Sequence, residues 1–383
     1  MIKRQRRFML VAITALTAGA ITGRLALGPL FGPQTSQEAT QHTTAKTSPA
    51  PNALACIAAL PDDTLVAQKL MFAGYSDQIE ASAIAIGGTN IGGVIIMDQS
   101  SAEIIDALTS AFSTKPLIAV DQEGGTVQRY TENGILPGAE SMASNSTPEQ
   151  AYQSYLNDAK HLKSIGITTN FAPVVDVASH TPNPLPGRMY ASDPSIVSSY
   201  ASQAIKASQA AGVTPVIKHF PGLGSASDNT DFESASTDPL STLTTRDLVP
   251  YRTLAALKPD VMISNAIVPE LSDGLPAVWS AATINLLRSY GYGNSVVYSD
   301  SLTAAAIPDP LDVAVVKSWQ AGVDVALIVQ SRDQTTKIPE YIQSINARVK
   351  AAFEKGELSR SNFVKSVDRI FARKAVNACN EEP

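Results

Sequence analysis

The sequence predicts the α/β class and, within it, a single (β/α)8 TIM-type barrel with additional C-terminal helices. Three observations predict it. Eight short β-rich runs alternate with segments of helical period. Several runs, such as Val94-Ile95-Ile96-Met97, are continuously apolar, as parallel strands buried on both faces must be. Charged and polar residues gather at the ends of the runs: Asp121, Glu123, Asp176, Lys218, His219, Asn265 and Asp300. A barrel builds its active site from the loops at the C-terminal ends of its strands. A doubly wound sheet also alternates strand and helix, but no Gly-x-Gly-x-x-Gly follows the first strand.

In chain order the predicted strands are Leu70–Tyr75, Gly92–Asp98, Leu117–Asp121, Thr169–Val177, Pro215–Phe220, Val261–Val268, Ser295–Asp300 and Val323–Val329. Among the helices, Thr147–Ile165 has Ser146 or Thr147 as a cap and Pro148 in its first turn. Pro194–Ala211 follows Asp193 and stops at Gly212, and Asp309–Ala321 stops at Gly322. Pro339–Glu354 and Ser361–Ala378 close the chain.

The ends carry different information. Lys3, Arg4, Arg6 and Arg7 precede the apolar stretch Phe8–Ala20, and Ala18-Gly19-Ala20 resembles a cleavage site. Residues 1–33 therefore read as a signal peptide or an N-terminal membrane anchor. The stretch before Arg24 is short of the roughly 20 apolar residues of a span, and either form exports the protein to the cell envelope or beyond it. Residues 34–55 are rich in Ser, Thr, Pro and Gln without apolar period, and are expected to form a disordered tether. The globular part is expected over residues 56–383. Its only cysteines, Cys56 and Cys379, lie just inside its two ends; in an oxidising compartment they can pair and clamp the termini. Two buried free thiols are the alternative.

Of the 383 residues, 44% are hydrophobic and 17% charged, which supports a large core. The net charge of −6 and the absence of a basic stripe beyond the N-terminus argue against a nucleic-acid partner. A neutral or polar substrate fits this balance better, and a monomer is expected.

Three segments carry candidate chemistry. In Asp121-Gln-Glu-Gly-Gly-Thr-Val-Gln-Arg129 the paired glycines allow a tight turn, Asp121 would point into the barrel mouth, and Glu123 and Arg129 would brace the loop as a pair. In Val216-Ile-Lys-His-Phe-Pro-Gly222, Lys218 needs a partner to be buried, and alternation along a strand would send Lys218 and His219 to opposite faces unless the strand ends there. In Val296-Val-Tyr-Ser-Asp300, the aspartate at a strand tip is placed to act as a nucleophile, or more modestly to cap a helix.

These blocks, with Asn-Phe-Ala-Pro-Val-Val-Asp-Val (170–177), Gly-Arg-Met-Tyr (187–190), Arg-Asp-Leu-Val-Pro-Tyr (246–251), Leu-Pro-Ala-Val-Trp-Ser (275–280) and Tyr-Ser-Asp-Ser-Leu (298–302), resemble glycoside hydrolase family 3 in the expected order. The chain looks most similar to the single-domain bacterial β-N-acetylhexosaminidases acting on peptidoglycan fragments. The resemblance implies a carbohydrate substrate ending in β-linked N-acetylglucosamine, a retaining double displacement, and no metal or organic cofactor. It implies Asp300 as nucleophile and Asp121, Arg188, Lys218 and His219 as sugar-binding residues, with Asp176 in a matching block near the site; Asp176 and Arg129 are expected to bind substrate with them.

The sequence departs from that pattern in the loop after the fifth strand. Leu223 stands where a first loop histidine is expected, Thr230 where the acid/base histidine is expected, and Asn265 where a histidine commonly ends the sixth strand. A threonine hydroxyl does not titrate near neutral pH. Two readings follow. Asp228, taken as the remnant of the dyad, or Asp231 or Glu233 on the same loop, replaces the acid/base. Alternatively the protein is a catalytically impaired homologue that binds sugar or cell-wall fragments without efficient hydrolysis.

Overall fold

All eight predicted strands form, and they pair in parallel in the order β7-β6-β5-β4-β3-β2-β1-β8. They are β1 (Leu70–Gly74), β2 (Gly93–Ile96), β3 (Leu117–Val120), β4 (Thr169–Asn170), β5 (Thr214–Phe220), β6 (Asp260–Ile263), β7 (Val297–Ser299) and β8 (Ala326–Ile328). The barrel closes where Tyr298 bridges Val325 and the Ser299 N–H donates to the Val325 carbonyl at 2.9 Å. The computed structural model describes residues 52–78 and 89–380. The expected signal or anchor, and the tether up to Pro51, lie outside the described residues. Among the described residues, no helix is long and apolar enough to cross a membrane.

Strand alternation sorts the core into two layers. Met71, Ala73, Ile95, Leu117, Ala119, Phe171, Val216, Met262, Tyr298 and Leu327 fill the barrel interior. Their neighbours Leu70, Phe72, Val94, Ile96, Ile118 and Val120 face outward and meet the helices. This two-sided burial is why the strands read as unbroken apolar runs.

The described helices are α1 (Ala53–Ala59), α2 (Asp62–Ala67), α3 (Ala102–Ser110), α4 (Ala139–Asn145), α5 (Pro148–Ser164), α6 (Pro194–Ala211), α7 (Leu240–Thr245), α8 (Leu248–Leu254), α9 (Ala281–Ser289), α10 (Leu311–Ala321), α11 (Ile338–Glu354) and α12 (Arg360–Lys374). Local signals set several ends. Thr147 and Gln150 form a capping box before α5, and Gly212 and Gly322 take the left-handed conformation that stops α6 and α10.

Several boundaries differ from expectation, the sixth strand for example ending at Ile263 rather than Val268, and three of them have a local cause. The fourth strand pairs regularly only over Thr169–Asn170, because Pro173 has no N–H to give a ladder; Val174 and Lys218 then form a single bridge. The last helix ends at Lys374, where Ala375 turns left-handed at φ 53°. Ala53–Ala55, expected to belong to the tether, begin α1 because the Asn52 side chain caps it by accepting from the Leu54 N–H.

Cys56 in α1 and Cys379 form a disulfide that ties the two ends across 323 residues. Arg360 supports the same junction by donating to the Ala58 and Leu60 carbonyls. Closing so long a loop stabilises by up to roughly 4–5 kcal/mol in the chain-entropy model. Replacing both cysteines by serine is expected to lower the free energy of denaturant unfolding by about 2–5 kcal/mol while leaving the circular dichroism of the barrel unchanged. An unshifted midpoint would show that packing alone holds the ends.

Candidate active site

The C-terminal mouth of the barrel opens into a cavity of about 380 Å³ whose lining includes Asp121, Glu123, Arg129, Arg188, Lys218, His219, Thr230, Asp231 and Asp300. These residues come from the ends of β3, β5 and β7 and from the loops after β3, β4 and β5.

The loop after β3 folds on its glycines. Gly124 and Gly125 have φ of 93° and 61°, and a Cβ on Gly124 would sit 2.4 Å from the Pro137 carbonyl oxygen. Gln122 fixes the loop from below. Its Oε1 accepts from the Arg129 and Tyr130 N–H groups, and its Nε2 donates to the Tyr130 carbonyl and to Asp158. Its backbone exchanges hydrogen bonds with the Asn170 side chain at the tip of β4. Nothing in the residue pattern marked Gln122, because a buried amide leaves no signal of period or charge.

Lys218 is the centre of the charge cluster. Its Nζ lies 2.7 Å from Asp121 and 2.6 Å from Glu123. Glu123 is gripped from its other side by Arg188, with Nε and Nη2 each at 2.8 Å. The expected Glu123–Arg129 brace is therefore corrected. Glu123 faces inward to Lys218 and Arg188, and Arg129 stands 3.8 Å from Asp121 instead. Burial alone would push the Glu123 carboxyl up, but Lys218 and Arg188 outweigh it and hold it at about 2. Burial likewise opposes the charge on Lys218, yet Asp121 and Glu123 raise its pKa. Asp121, partly exposed and flanked by two cations, presents a carboxylate able to accept from neighbouring sugar hydroxyls.

Lys218 and His219 both line the cavity. Simple alternation fails here because the β5–β6 register shifts between Ile217 and Phe220. His219 is set by Asp176, whose Oδ2 lies 2.7 Å from its Nδ1, leaving Nε2 for the cavity. Asp176 itself is fully buried, and its Oδ1 accepts from the His219 and Leu223 N–H groups. Asp176, expected among the sugar-binding residues, does not line the cavity; both its oxygens are engaged by His219 and Leu223, so it holds His219 and the following loop in place.

That loop is seated by apolar contacts. Leu223 packs with Val174, Leu185, Met189 and Ala266. Gly224 lies so close to Val177 that a Cβ would meet its carbonyl oxygen at 1.9 Å. Thr230 is buried, and the Thr230 and Asp231 carbonyls accept from Ala306 and Ala305 in the loop after β7. Asp231 enters the cavity. Asp228, the expected acid/base candidate or dyad remnant, lines a neighbouring cleft instead, beside the fully exposed Glu233. Among the described residues, His219 is the one histidine that lines the cavity.

Asp300 sits at the tip of β7 with its N–H donating to the Ile263 carbonyl and its Oδ1 accepting from Ser301. Asn265, at the end of β6, donates to the Ser301 carbonyl and so steadies the same turn. Burial raises the Asp300 carboxyl, His219 draws it down, and Asp231 raises it further. Asp300 and Asp231 therefore interact electrostatically across one cavity.

The comparisons with known proteins agree with this architecture. The model of the glycosyl hydrolase family 3 N-terminal domain matches residues 66–372. The chain is 35% identical over 334 residues, 83% of each chain, to a protein named beta-hexosaminidase LpqI from Mycobacterium tuberculosis. The solved structure of M. tuberculosis LpqI superposes with a TM-score of 0.76 at 32% identity, covering 87% of this chain and 98% of that one. A family 3 β-N-acetylglucosaminidase from a Paenibacillus species gives a TM-score of 0.76 at 26% identity, over 85% of this chain and 64% of that one.

Glu123→Gln leaves Lys218 and Arg188 sharing an uncharged partner, and is expected to cost about 3–5 kcal/mol at pH 7. The folded-state pKa of Glu123 is below its unfolded value, so its contribution is complete above about 4.5 and disappears as pH falls toward 2. Thermal unfolding of the two proteins should differ most at neutral pH and converge between pH 4.5 and 2. A constant gap would show that the loss is one of packing.

Proposed function

This chain belongs to glycosyl hydrolase family 3 and is a glycosidase of the β-hexosaminidase type, and we propose that Asp300 and Asp231 are the two carboxyl groups that carry its chemistry. The observation that carries the proposal is their placement in one cavity with the Asp121–Lys218–Glu123–Arg188 cluster.

In this reading the terminal sugar lies over the cluster, with its hydroxyls on Asp121, Arg129, Lys218 and Arg188 and on the free nitrogen of His219. Asp300 attacks the anomeric carbon while Asp231 gives a proton to the leaving oxygen. A covalent glycosyl-enzyme results. Asp231, now ionised, takes a proton from water, whose oxygen attacks the anomeric carbon and releases Asp300. Two inversions give overall retention. Burial raises the Asp300 carboxyl on balance, and His219 and Lys218 pull it the other way, toward the ionised form a nucleophile needs.

The substrate is inferred to be terminal β-linked N-acetylglucosamine on peptidoglycan fragments or related glycans. The names of the relatives and the fit to an exported protein support it, since the Cys56–Cys379 bridge suits an oxidising compartment. A role in binding alone has one observation in its favour, Thr230 in place of a titratable side chain; Asp231 beside it counts against that role.

Nitrophenyl β-N-acetylglucosaminide separates these readings, because nitrophenolate leaves without protonation. The wild type should turn over steadily, and Asp300→Asn should release nothing. Asp231→Asn should give a burst and then stall, with kcat lower by about 10²–10⁴-fold and restored in part by azide, a nucleophile that needs no base. Asp228→Asn should stay within a few-fold of wild type. A stall in Asp228→Asn instead would move the acid/base to that residue, and no release by the wild type would leave binding as the function.

Removing Asp231 also removes a charge that raises Asp300. The acid limb of the burst rate should accordingly shift to lower pH in Asp231→Asn. An unmoved or raised limb would contradict their electrostatic coupling.

A further inference from the structure

We propose that the cleft beside the reaction cavity is the subsite for the leaving group, and that Phe232 is the platform on which a departing sugar ring stacks. This rests on the glycosidase reading above and adds to it a site for the second half of the substrate.

The cleft, also about 380 Å³, is continuous with the cavity: both are lined by Leu185, Arg188 and Asn229. Phe232 forms part of its wall and is 76% exposed. Among the described residues only Ile135 is a large apolar side chain so open to water. A single exposed apolar side chain is ordinary by itself; what singles out Phe232 is that its ring forms a wall of the cleft next to the reaction cavity.

Its place in the chain says by what. Phe232 directly follows Asp231, so the two backbones are one residue step, about 3.8 Å, apart. The oxygen that Asp231 protonates belongs to the leaving group, and whatever continues from that oxygen out of the cavity meets the next residue of the same turn. The turn is fixed before any ligand arrives. Asn229 Oδ1 accepts from the Asp231 N–H, and the Asn229 carbonyl accepts from the Phe232 and Glu233 N–H groups. The Ala305 and Ala306 N–H groups then bind the turn to the loop that carries Asp300. Proton donor, nucleophile and platform are thereby held in one frame.

The cleft also has the chemistry of a pyranose. The facing loop offers Pro182, Pro184 and Pro186, rigid apolar rings without N–H groups to satisfy. Thr126, Asn183, Ser227 and Asp228 supply hydroxyl partners. A sugar ring has C–H faces and a rim of hydroxyls, and so matches an aromatic surface edged by polar groups. The one cation in the cleft, Arg188, is already held by Glu123.

The test compares two substrates that share the terminal sugar: diacetylchitobiose, whose leaving group is a sugar, and N-acetylglucosaminyl β-fluoride, whose leaving group has no ring. The readout is the ratio of kcat/KM for the disaccharide to that for the fluoride. Phe232→Ala should lower this ratio about tenfold, chiefly through KM for the disaccharide. Phe232→Trp should restore it, and Phe232→Leu, apolar but not flat, should not. An unchanged ratio in Phe232→Ala, or an equal loss on both substrates by the folded variant, would overturn the platform while leaving the glycosidase standing. Failure of the wild type to cleave either substrate would overturn both proposals.

Discussion

The site depends on a buried charge cluster that is neutral only as a whole. Lys218 cannot be left charged in the barrel mouth without Asp121 and Glu123, and Glu123 in turn requires Arg188. These four side chains come from β5, the loop after β3 and the connection after β4. Their mutual neutralisation therefore fixes three separate segments relative to one another. Removing any member exposes the others to the full cost of desolvation, so the arrangement is stiff for an electrostatic reason, independently of apolar packing. The same stiffness lets Asp121 present a half-open carboxylate toward the cavity while its partners stay fixed.

Charge alone does not mark a site, and the opposite end of the barrel shows why. Asp324 is buried against Arg288, Arg369 and Ser366, and Asp260 against Arg373. Lys69 is buried there as well, donating to the Val323 carbonyl, and burial pushes it down to about 7. These groups precede or begin strands, and none lines the cavity at the mouth. The oxygens of Asp324 and Asp260 are taken by arginines or by backbone N–H groups. The mouth differs in two respects. Its cluster borders a cavity, and Asp300 is half-buried with only the Ser301 N–H as a hydrogen-bond donor and no ion pair among the described residues. A carboxyl without a cation of its own in such a place is costly for stability, and groups of that kind gather at functional sites.

The division between what could and could not be read from the sequence follows from where periodicity ends. Strands such as Val94–Ile96 and helices such as Pro194–Ala211 are fixed by alternation, caps and stops, and they form where the pattern places them. The site residues were legible as types at strand tips, because polar side chains interrupt apolar runs there. Their partners were not. Glu123 turns to Arg188, 65 residues away, rather than to Arg129 in its own loop, because the glycine turn sends Arg129 back over Asp121. Asp176 was visible as an acid near the site, but only the fold shows it fully buried behind His219. On the loop after β5, the sequence favoured Asp228 as the remnant of the dyad and left Asp231 and Glu233 as alternatives. The hydrogen bonds that Asn229 makes to the turn accompany Asp231 inside the cavity and Asp228 outside it.

That loop also explains how a glycosidase site can lack a loop histidine. The first change, Leu223, anchors the segment in an apolar pocket, and the buried Thr230 sits where a charged imidazole would need a partner. What the proposed reaction still requires is one titratable group facing Asp300, and Asp231, at the next position, lines the same cavity. The exchange alters the electrostatics, because an imidazolium would stabilise an ionised Asp300 and a carboxylate opposes it. His219 and Lys218 act against that opposition on Asp300 from the side of β5. The repulsion from Asp231 thus adds to burial in raising Asp300. The proposed double displacement needs Asp300 ionised when the sugar binds, and His219 and Lys218 are the groups that pull it that way against burial.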